Sequence, residues 1–105
     1  IIWAQNGLAD DEVVADKQAG ATFTASFDNC LWKVKNNPSN VIANNIISNQ
    51  DPAFDSINVE KRLFNFRLKD GSRAINTGVN AGILLDLDGA TRPVGLPDLG
   101  CYEKH

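Results

Sequence analysis

The sequence predicts an all-β fold, and three observations carry that expectation. Short runs of β-forming residues recur along the chain, Asn-rich corners separate them, and no stretch shows a convincing helical apolar face. The clearest strand signal is Ala21-Thr-Phe-Thr-Ala-Ser-Phe27, where Ala21, Phe23, Ala25 and Phe27 fall on one side. Alternation with period two is what a half-buried strand requires, because successive side chains point to opposite faces.

In chain order, Ile1-Ile-Trp3 reads as an apolar strand-like triplet, and Asp10-Asp-Glu12 as a charged, solvated stretch. Asp10–Lys17 has some helical propensity without an apolar stripe. After the alternating run come Cys30-Leu-Trp-Lys-Val34, Val41-Ile-Ala43 and Ile46-Ile-Ser48. Between them lie Asp28-Asn29, Asn36-Asn-Pro-Ser-Asn40 and Asn44-Asn45. Asn tolerates left-handed dihedrals and hydrogen-bonds its own backbone, so each pair marks a turn. Strands this short with Asn at the corners suit a β-solenoid better than a sandwich, although no clean internal period is visible in the letters. In a solenoid one coil cannot bury its inner face alone, so stacking makes the core.

Further on, Pro52 biases Asp51 toward extended geometry, and the segment is expected to enter a strand edge with Phe54 filling the core. Phe64, Phe66 and Leu68 alternate with Asn65, Arg67 and Lys69, which predicts one buried and one wet face. An aromatic ladder stacking on sugar rings is the competing reading of the same residues. Ser72–Gly78 has the ends of a single helical turn, with Ser72 as N-cap and Gly78 in the left-handed terminating position.

Composition narrows the function classes. The 105 residues are 43% hydrophobic and 22% charged, as in a folded domain. A net charge of −3 with no basic stripe argues against nucleic acid as a partner, since phosphate binding needs a basic face. No apolar run approaches the roughly 18 residues that span a bilayer. The chain holds no Met and opens on an apolar triplet, which reads as an interior position of a longer protein.

Cys30 and Cys101 could close one bridge, but each sits in an apolar pattern, and free buried thiols are expected. Asp86-Leu-Asp-Gly89 resembles the opening of a calcium loop, yet no third oxygen ligand follows at Ala90 or Thr91 and no acidic residue ends it. The expected role is a tight turn in which Asp88 accepts backbone N–H bonds and Arg92 pairs with a carboxylate. His105 is the sole histidine and terminal, so neither a Ser-His-Asp triad nor a His-rich zinc site can be assembled. The Asp10–Glu12 carboxylates have nothing to place them in a cleft for acid catalysis. No catalytic, cofactor-binding or metal-binding residue is therefore assigned, and no cofactor.

One arrangement reaches further. Asn49-Gln-Asp-Pro-Ala-Phe-Asp55 is followed by Phe66-Arg-Leu-Lys-Asp-Gly-Ser-Arg-Ala-Ile-Asn-Thr-Gly78, then Asp86-Leu-Asp-Gly-Ala-Thr-Arg-Pro93, and finally Asp98-Leu-Gly-Cys-Tyr-Glu103. From about Asn45 to Glu103 this order resembles the C-terminal module of bacterial right-handed parallel β-helix proteins, the pectate-lyase-like family. It departs at Arg73, where proline is usual, at Asn76, where Asp is common, and at Cys101, where Ala is common. The resemblance implies the terminal coils of a right-handed parallel β-helix with an irregular C-terminal cap. Residues 1–48 would be β-helix coils, and residues 49–105 the last coil and capping segment of the same domain. Ile83-Leu-Leu85, Leu87, Val94, Leu96 and Leu99 would form its apolar plug, while Asp86, Asp88 and Asp98 keep the outside wet.

The implied function is a non-catalytic cap on a secreted or cell-surface protein whose parent acts on or binds polysaccharide. Such a parent could be a polysaccharide lyase or glycoside hydrolase, with this segment contributing one wall of a groove. A rigid adhesin or scaffold with no sugar ligand is the alternative. Exposure of Trp3 or Trp32 would favour the groove. Expected partners are upstream β-helix coils, polysaccharide, and a second copy through end-to-end association. An extracellular or bacterial cell-surface location follows from the resemblance alone.

Overall fold

A computed structural model of the chain describes residues 1–4, 9–93 and 95–105. Among these the fold is all-β, with six short strands and no helix. The strands are β1 (Ala25–Asp28), β2 (Leu31–Trp32), β3 (Val41–Asn44), β4 (Ile47–Ser48), β5 (Phe54–Asn58) and β6 (Leu63–Leu68). Contacts divide the chain into two compact units, Ile1–Gln50 and Asp51–His105. No helix of the described residues is long and apolar enough to cross a membrane.

In the first unit, β1 pairs with β3 and β2 with β4, both in parallel. Ala25 stands opposite Val41 and Leu31 opposite Ile47, so both ladders share one offset of sixteen residues. Parallel partners need a crossover of a dozen residues or more, and each sixteen-residue stretch supplies it by turning a corner and making a second strand. The corners are asparagines. Asn29 (φ 54°) and Asn45 (φ 52°), also sixteen apart, both take the left-handed conformation, which a β-branched residue would resist. Just before them, Asn44 Nδ2 donates to Asp28 Oδ1 at 2.8 Å, tying the two levels together through side chains.

A third level joins at β2. Ile2 forms a parallel bridge to Trp32, with Ile2 N donating to Leu31 O and Lys33 N to Ile2 O. The ladder then ends in a side chain. Asn49 (φ 58°) turns away, but its amide accepts from Val34 N at 3.1 Å and donates to Val34 O at 3.0 Å, replacing a strand residue. Trp32, Val34 and Val41 make the core, packed by Ile2, Val13, Ala15, Ala25, Phe27 and Ile46. Leu31 is fully enclosed on the other side of β2.

The alternating run at 21–27 becomes strand only from Ala25, and Phe23 is exposed. Pairing explains the shortening: the ladder with β3 reaches from Ala25 to Asp28 and no further. The Asp10–Glu12 stretch is pinned, not free on the surface. Glu12 N donates to Lys33 O, Lys35 N donates to Asp10 O, and Asp11 accepts from the backbone amides of Lys35 (2.6 Å) and Asn36 (2.8 Å).

The second unit begins with Pro52 fully buried and Asp51 accepting from Ala53 N, which sets the entry to β5. Strands β5 and β6 form an antiparallel pair with a bulge between Phe54 and Ser56. The expected buried face of β6 holds only at Leu68. Phe64 is 52% and Phe66 46% exposed, stacked on one another with centroids 6.2 Å apart, and half-buried Phe54 meets Phe66 edge-on at 5.2 Å. The rings cover each other in place of a core.

The Ser72–Gly78 segment makes turns and not a helix. Ser72 Oγ donates to Pro52 O at 2.6 Å and accepts from Ala74 N at 3.1 Å, so its capping hydroxyl is used to tie the loop to the β5 entry. The left-handed position falls on Asn76 (φ 54°), not on Gly78. Gly78 is needed for space: a Cβ there would lie 2.9 Å from the backbone oxygen of Pro97, closer than side-chain carbons come. Gly78→Ala is therefore expected to destabilise the chain by about 1–3 kcal/mol through forced backbone displacement. A denaturant midpoint unchanged from wild type would contradict that account.

Candidate functional site

The closing motifs of the sequence converge on one cluster in the second unit. Asp86 sits at a turn completed by Gly89, whose φ of 78° suits glycine. One Asp86 oxygen accepts from the backbone amides of Asp88 and Ala90, each at 2.9 Å, and the other accepts from Glu103 N at 3.0 Å. Asp98 does the same across a longer span, taking Asn76 N at 2.8 Å and Lys104 N at 2.7 Å. Glu103 Oε1 accepts from Asp98 N at 3.0 Å and pairs with the Arg92 guanidinium, which also donates to Gly100 O at 2.9 Å. Asp86, Asp98 and Glu103 are all buried.

Sequence reasoning placed Arg92 against a carboxylate, and Glu103 is that carboxylate. The two aspartates of the turn differ from expectation. Asp86, not Asp88, holds the turn amides, because its side chain points back into the loop it precedes. Asp86 and Asp98 are inside and do not keep the surface wet; only half-exposed Asp88 does. The apolar plug is likewise corrected. Ile83, Leu84, Leu85, Leu87 and Leu96 are exposed, Leu99 alone is buried, and Val94 lies outside the described residues. Charged side chains close this irregular segment by accepting backbone N–H groups that no strand partner satisfies.

Beside the cluster is an open depression of about 350 Å³, lined by Asp55, Arg67, Leu68, Asp88, Glu103, Lys104 and His105. Arg67 engages Asp88 through two of its three nitrogens, Nε to Oδ2 at 3.1 Å and Nη2 to Oδ1 at 2.6 Å, and lies 4.3 Å from the Tyr102 ring centroid. Asn65 Nδ2 donates to Asp55 Oδ2 at 2.7 Å, and Lys104 reaches Asp70 at 3.2 Å. Arg67, Asp55 and Tyr102 were not singled out from the sequence as site residues. The available signal was β6 alternation, which sets Arg67 and Asn65 on the polar side.

Within the cluster, the surroundings of Asp86 favour its charged form. Three backbone N–H donors, Glu103 foremost, hold the Asp86 carboxyl below the ordinary aspartate range, and in the first unit the Asn36 amides do the same for Asp11. The Asp88 carboxylate holds Arg67 above its usual range. A general acid needs the opposite environment, a carboxyl raised toward neutrality. Both Asp86 oxygens accept backbone amides, two on Oδ1 and one on Oδ2. Among the described residues no group of three His, Cys, Asp or Glu side chains is placed to hold a metal ion.

The sign of the pH effect follows. Because the folded pKa of Asp86 is depressed, its contribution is present above the unfolded value of about 4 and is lost as pH falls through the lowered folded value. Thermal stability is expected to hold from neutrality down to about pH 5 and to decline below about pH 4. In Asp86→Asn that acid limb should be shallower; an unchanged limb in melting scans would refute the assignment.

Neither tryptophan offers a sugar platform of the expected kind. Trp32 is 2% exposed and donates through Nε1 to Ser48 Oγ at 3.0 Å, while half-buried Trp3 has Lys33 Nζ 5.7 Å from its ring centroid. Cys30 is half-buried and Cys101 exposed, both as free thiols, so the expected burial does not hold for Cys101. No protein-family model, curated protein or solved structure matches the chain. Fold and cluster together define an all-β chain whose closing acidic residues serve its own backbone.

Proposed function

We propose that this chain is a non-catalytic C-terminal capping segment of a secreted or cell-surface parallel β-helix protein, whose parent binds or acts on polysaccharide. The observation that carries the solenoid reading is the single sixteen-residue offset shared by two parallel ladders, with Asn29 and Asn45 at equivalent corners. A sandwich has no reason to repeat one offset in both pairs, whereas stacked coils must. The capping role is supported by the Asp86–Arg92–Asp98–Glu103 cluster, which satisfies an irregular backbone without offering a further strand. The polysaccharide part rests on the motif resemblance and on the polar, arginine-bearing depression.

Duplicating one coil tests the architecture. A second copy of residues 25–40 inserted between Asn40 and Val41 should fold with one more rung and a stronger β signal in circular dichroism, without loss of cooperativity. A collapsed or molten product would remove the solenoid reading. For the ligand, immobilised polysaccharides presented to the full chain should retain it. Retention by none would favour the rigid scaffold, and growth of unsaturated-product absorbance would instead reveal a lyase.

A further inference from the structure

Two dipeptides in the second unit carry the same latent chemistry, Asp70-Gly71 and Asp88-Gly89. In an Asp-Gly pair the glycine amide nitrogen can attack the aspartate's own Cγ, and water leaves as a five-membered succinimide closes. Glycine permits this best, because no Cβ obstructs its nitrogen or restricts its backbone. Water then reopens the ring at either carbonyl. One opening restores aspartate; the other leaves the main chain running through Cγ, with the former main-chain carboxyl free. The water lost in the first step returns in the second, so mass is unchanged and no other reactant is consumed.

The fold treats the two pairs oppositely. At 88–89 both reacting groups are held. Gly89 N donates to Asp86 O at 3.0 Å, and the Asp88 carboxylate accepts from Arg67 Nε and Nη2. The amides on either side, Asp88 N and Ala90 N, are fixed on Asp86 Oδ1. At 70–71 neither group is held. Among the described residues Gly71 N has no hydrogen-bond partner, and the Asp70 side chain is 95% exposed with Lys104 Nζ at 3.2 Å as its one polar partner. An ion pair so open to water restrains little. A Cβ placed on Gly71 would meet nothing within 4 Å, so the turn has room for the ring. We propose that Asp70-Gly71 is a covalent modification site: it converts to isoaspartate in the folded protein while Asp88-Gly89 is shielded, and the α-carboxylate so freed is a substrate for carboxyl methyl transfer. In that transfer a carboxylate oxygen takes the methyl group of a sulfonium donor, which departs as the neutral thioether.

The consequence depends on what this turn joins. It links Leu68, the buried end of β6, to buried Ser72. Ser72 N donates to Lys69 O at 3.2 Å across the pair, and Ser72 Oγ donates to Pro52 O at the entry to β5. An isoaspartyl link adds one carbon to the turn that this bond closes, and so releases the Ser72 amide. It also moves the carboxylate that pairs with Lys104, a residue lining the depression. The site rests on the two turns alone; loss of the capping or polysaccharide reading would leave it standing.

The test ages the full chain in mildly acidic buffer, folded or in urea, and then cleaves it after arginine, which separates the two pairs at Arg73. Electron-transfer fragmentation distinguishes isoaspartate from aspartate in each peptide. An isoaspartyl-selective carboxyl methyltransferase with labelled S-adenosylmethionine counts the free α-carboxylates. In urea both pairs should convert alike. In the folded chain the ratio of Asp70 to Asp88 product should be roughly tenfold higher, the factor that about 1.4 kcal/mol of retained hydrogen bonding at Gly89 and Asp88 gives. In Asp70→Glu, whose longer side chain would have to close a six-membered ring, the label on that peptide should vanish. The isomerised chain should exchange its Ser72 amide faster than the parent. Equal conversion of both pairs in the folded chain overturns the proposal, as does conversion at Asp70 confined to urea, or label that persists in Asp70→Glu. A Ser72 amide that exchanges no faster overturns its release.

Discussion

Replacing Arg92 by alanine should cost roughly 3–5 kcal/mol, the range for removing one partner of a buried ion pair. Three contacts disappear together: the pairing with Glu103 and the bonds to the carbonyls of Asp98 and Gly100. The larger consequence falls on Glu103, whose side chain is 3% exposed and would keep a charge with only the Asp98 amide to hold it. Against a total stability of about 5–15 kcal/mol for a domain, that is a large fraction. Amide exchange over 84–103 and urea denaturation would register it. Arg92→Lys should recover part of the loss, since it keeps the charge and gives up the fork that reaches two carbonyls at once. In a cycle with Glu103→Gln the two losses should fall short of additive, because each variant removes the same pair. An Arg92→Ala midpoint within about 0.5 kcal/mol of wild type, the usual spread of surface changes, would show that the cluster does not hold the segment.

The second large effect belongs to the first unit. Trp32→Ala should destabilise by about 3–5 kcal/mol, the usual cost of emptying a buried aromatic site. Trp32 is the centre of a small core, tilted against Phe27 at 5.4 Å and bonded to Ser48. It also stands between Ile2 and Ser48 in the stack, so a cavity there loosens three levels at once. Trp32→Phe should be milder, retaining most of the apolar volume while losing about 1 kcal/mol with the Nε1 hydrogen bond. Exchange protection over 25–48 provides the readout, because changing the indole alters fluorescence directly. Full protection of those amides in Trp32→Ala would mean that the ladders, and not the core, carry the unit.

Much of this organisation was legible in the letters. Asn29 and Asn45 announced corners, because few other residues accept a left-handed backbone, and both stand there. The short runs at Leu31, Val41 and Ile47 became β2, β3 and β4 within a residue or two. Arg92 announced a carboxylate partner and found Glu103. The sixteen-residue offset was present but hidden, since Asp28-Asn29 and Asn44-Asn45 are its only near-identical positions. Elsewhere it matches aliphatic Leu31 to Ile47 but Trp32 to Ser48 and Phe27 to Ala43, pairs related by geometry and not by residue type.

What the sequence determined by itself is the kind of backbone this chain makes: short extended segments, bent at asparagines, with no amphipathic stripe to sustain a helix. Those are local properties, fixed by dihedral preference and by period-two patterning. Only the tertiary structure decided where charge and apolar surface went. Alternation sent Phe64 and Phe66 inward, and the capping resemblance sent Ile83, Leu84, Leu85 and Leu87 inward and Asp86 and Asp98 outward; the fold reverses both. The reason is that a segment without strand partners leaves backbone N–H groups to satisfy, and a buried carboxylate can accept several at once while a leucine accepts none. Which amides lie within reach of Asp86, Asp98 and Glu103 depends on chain crossings as long as twenty-two residues, and that information is not local.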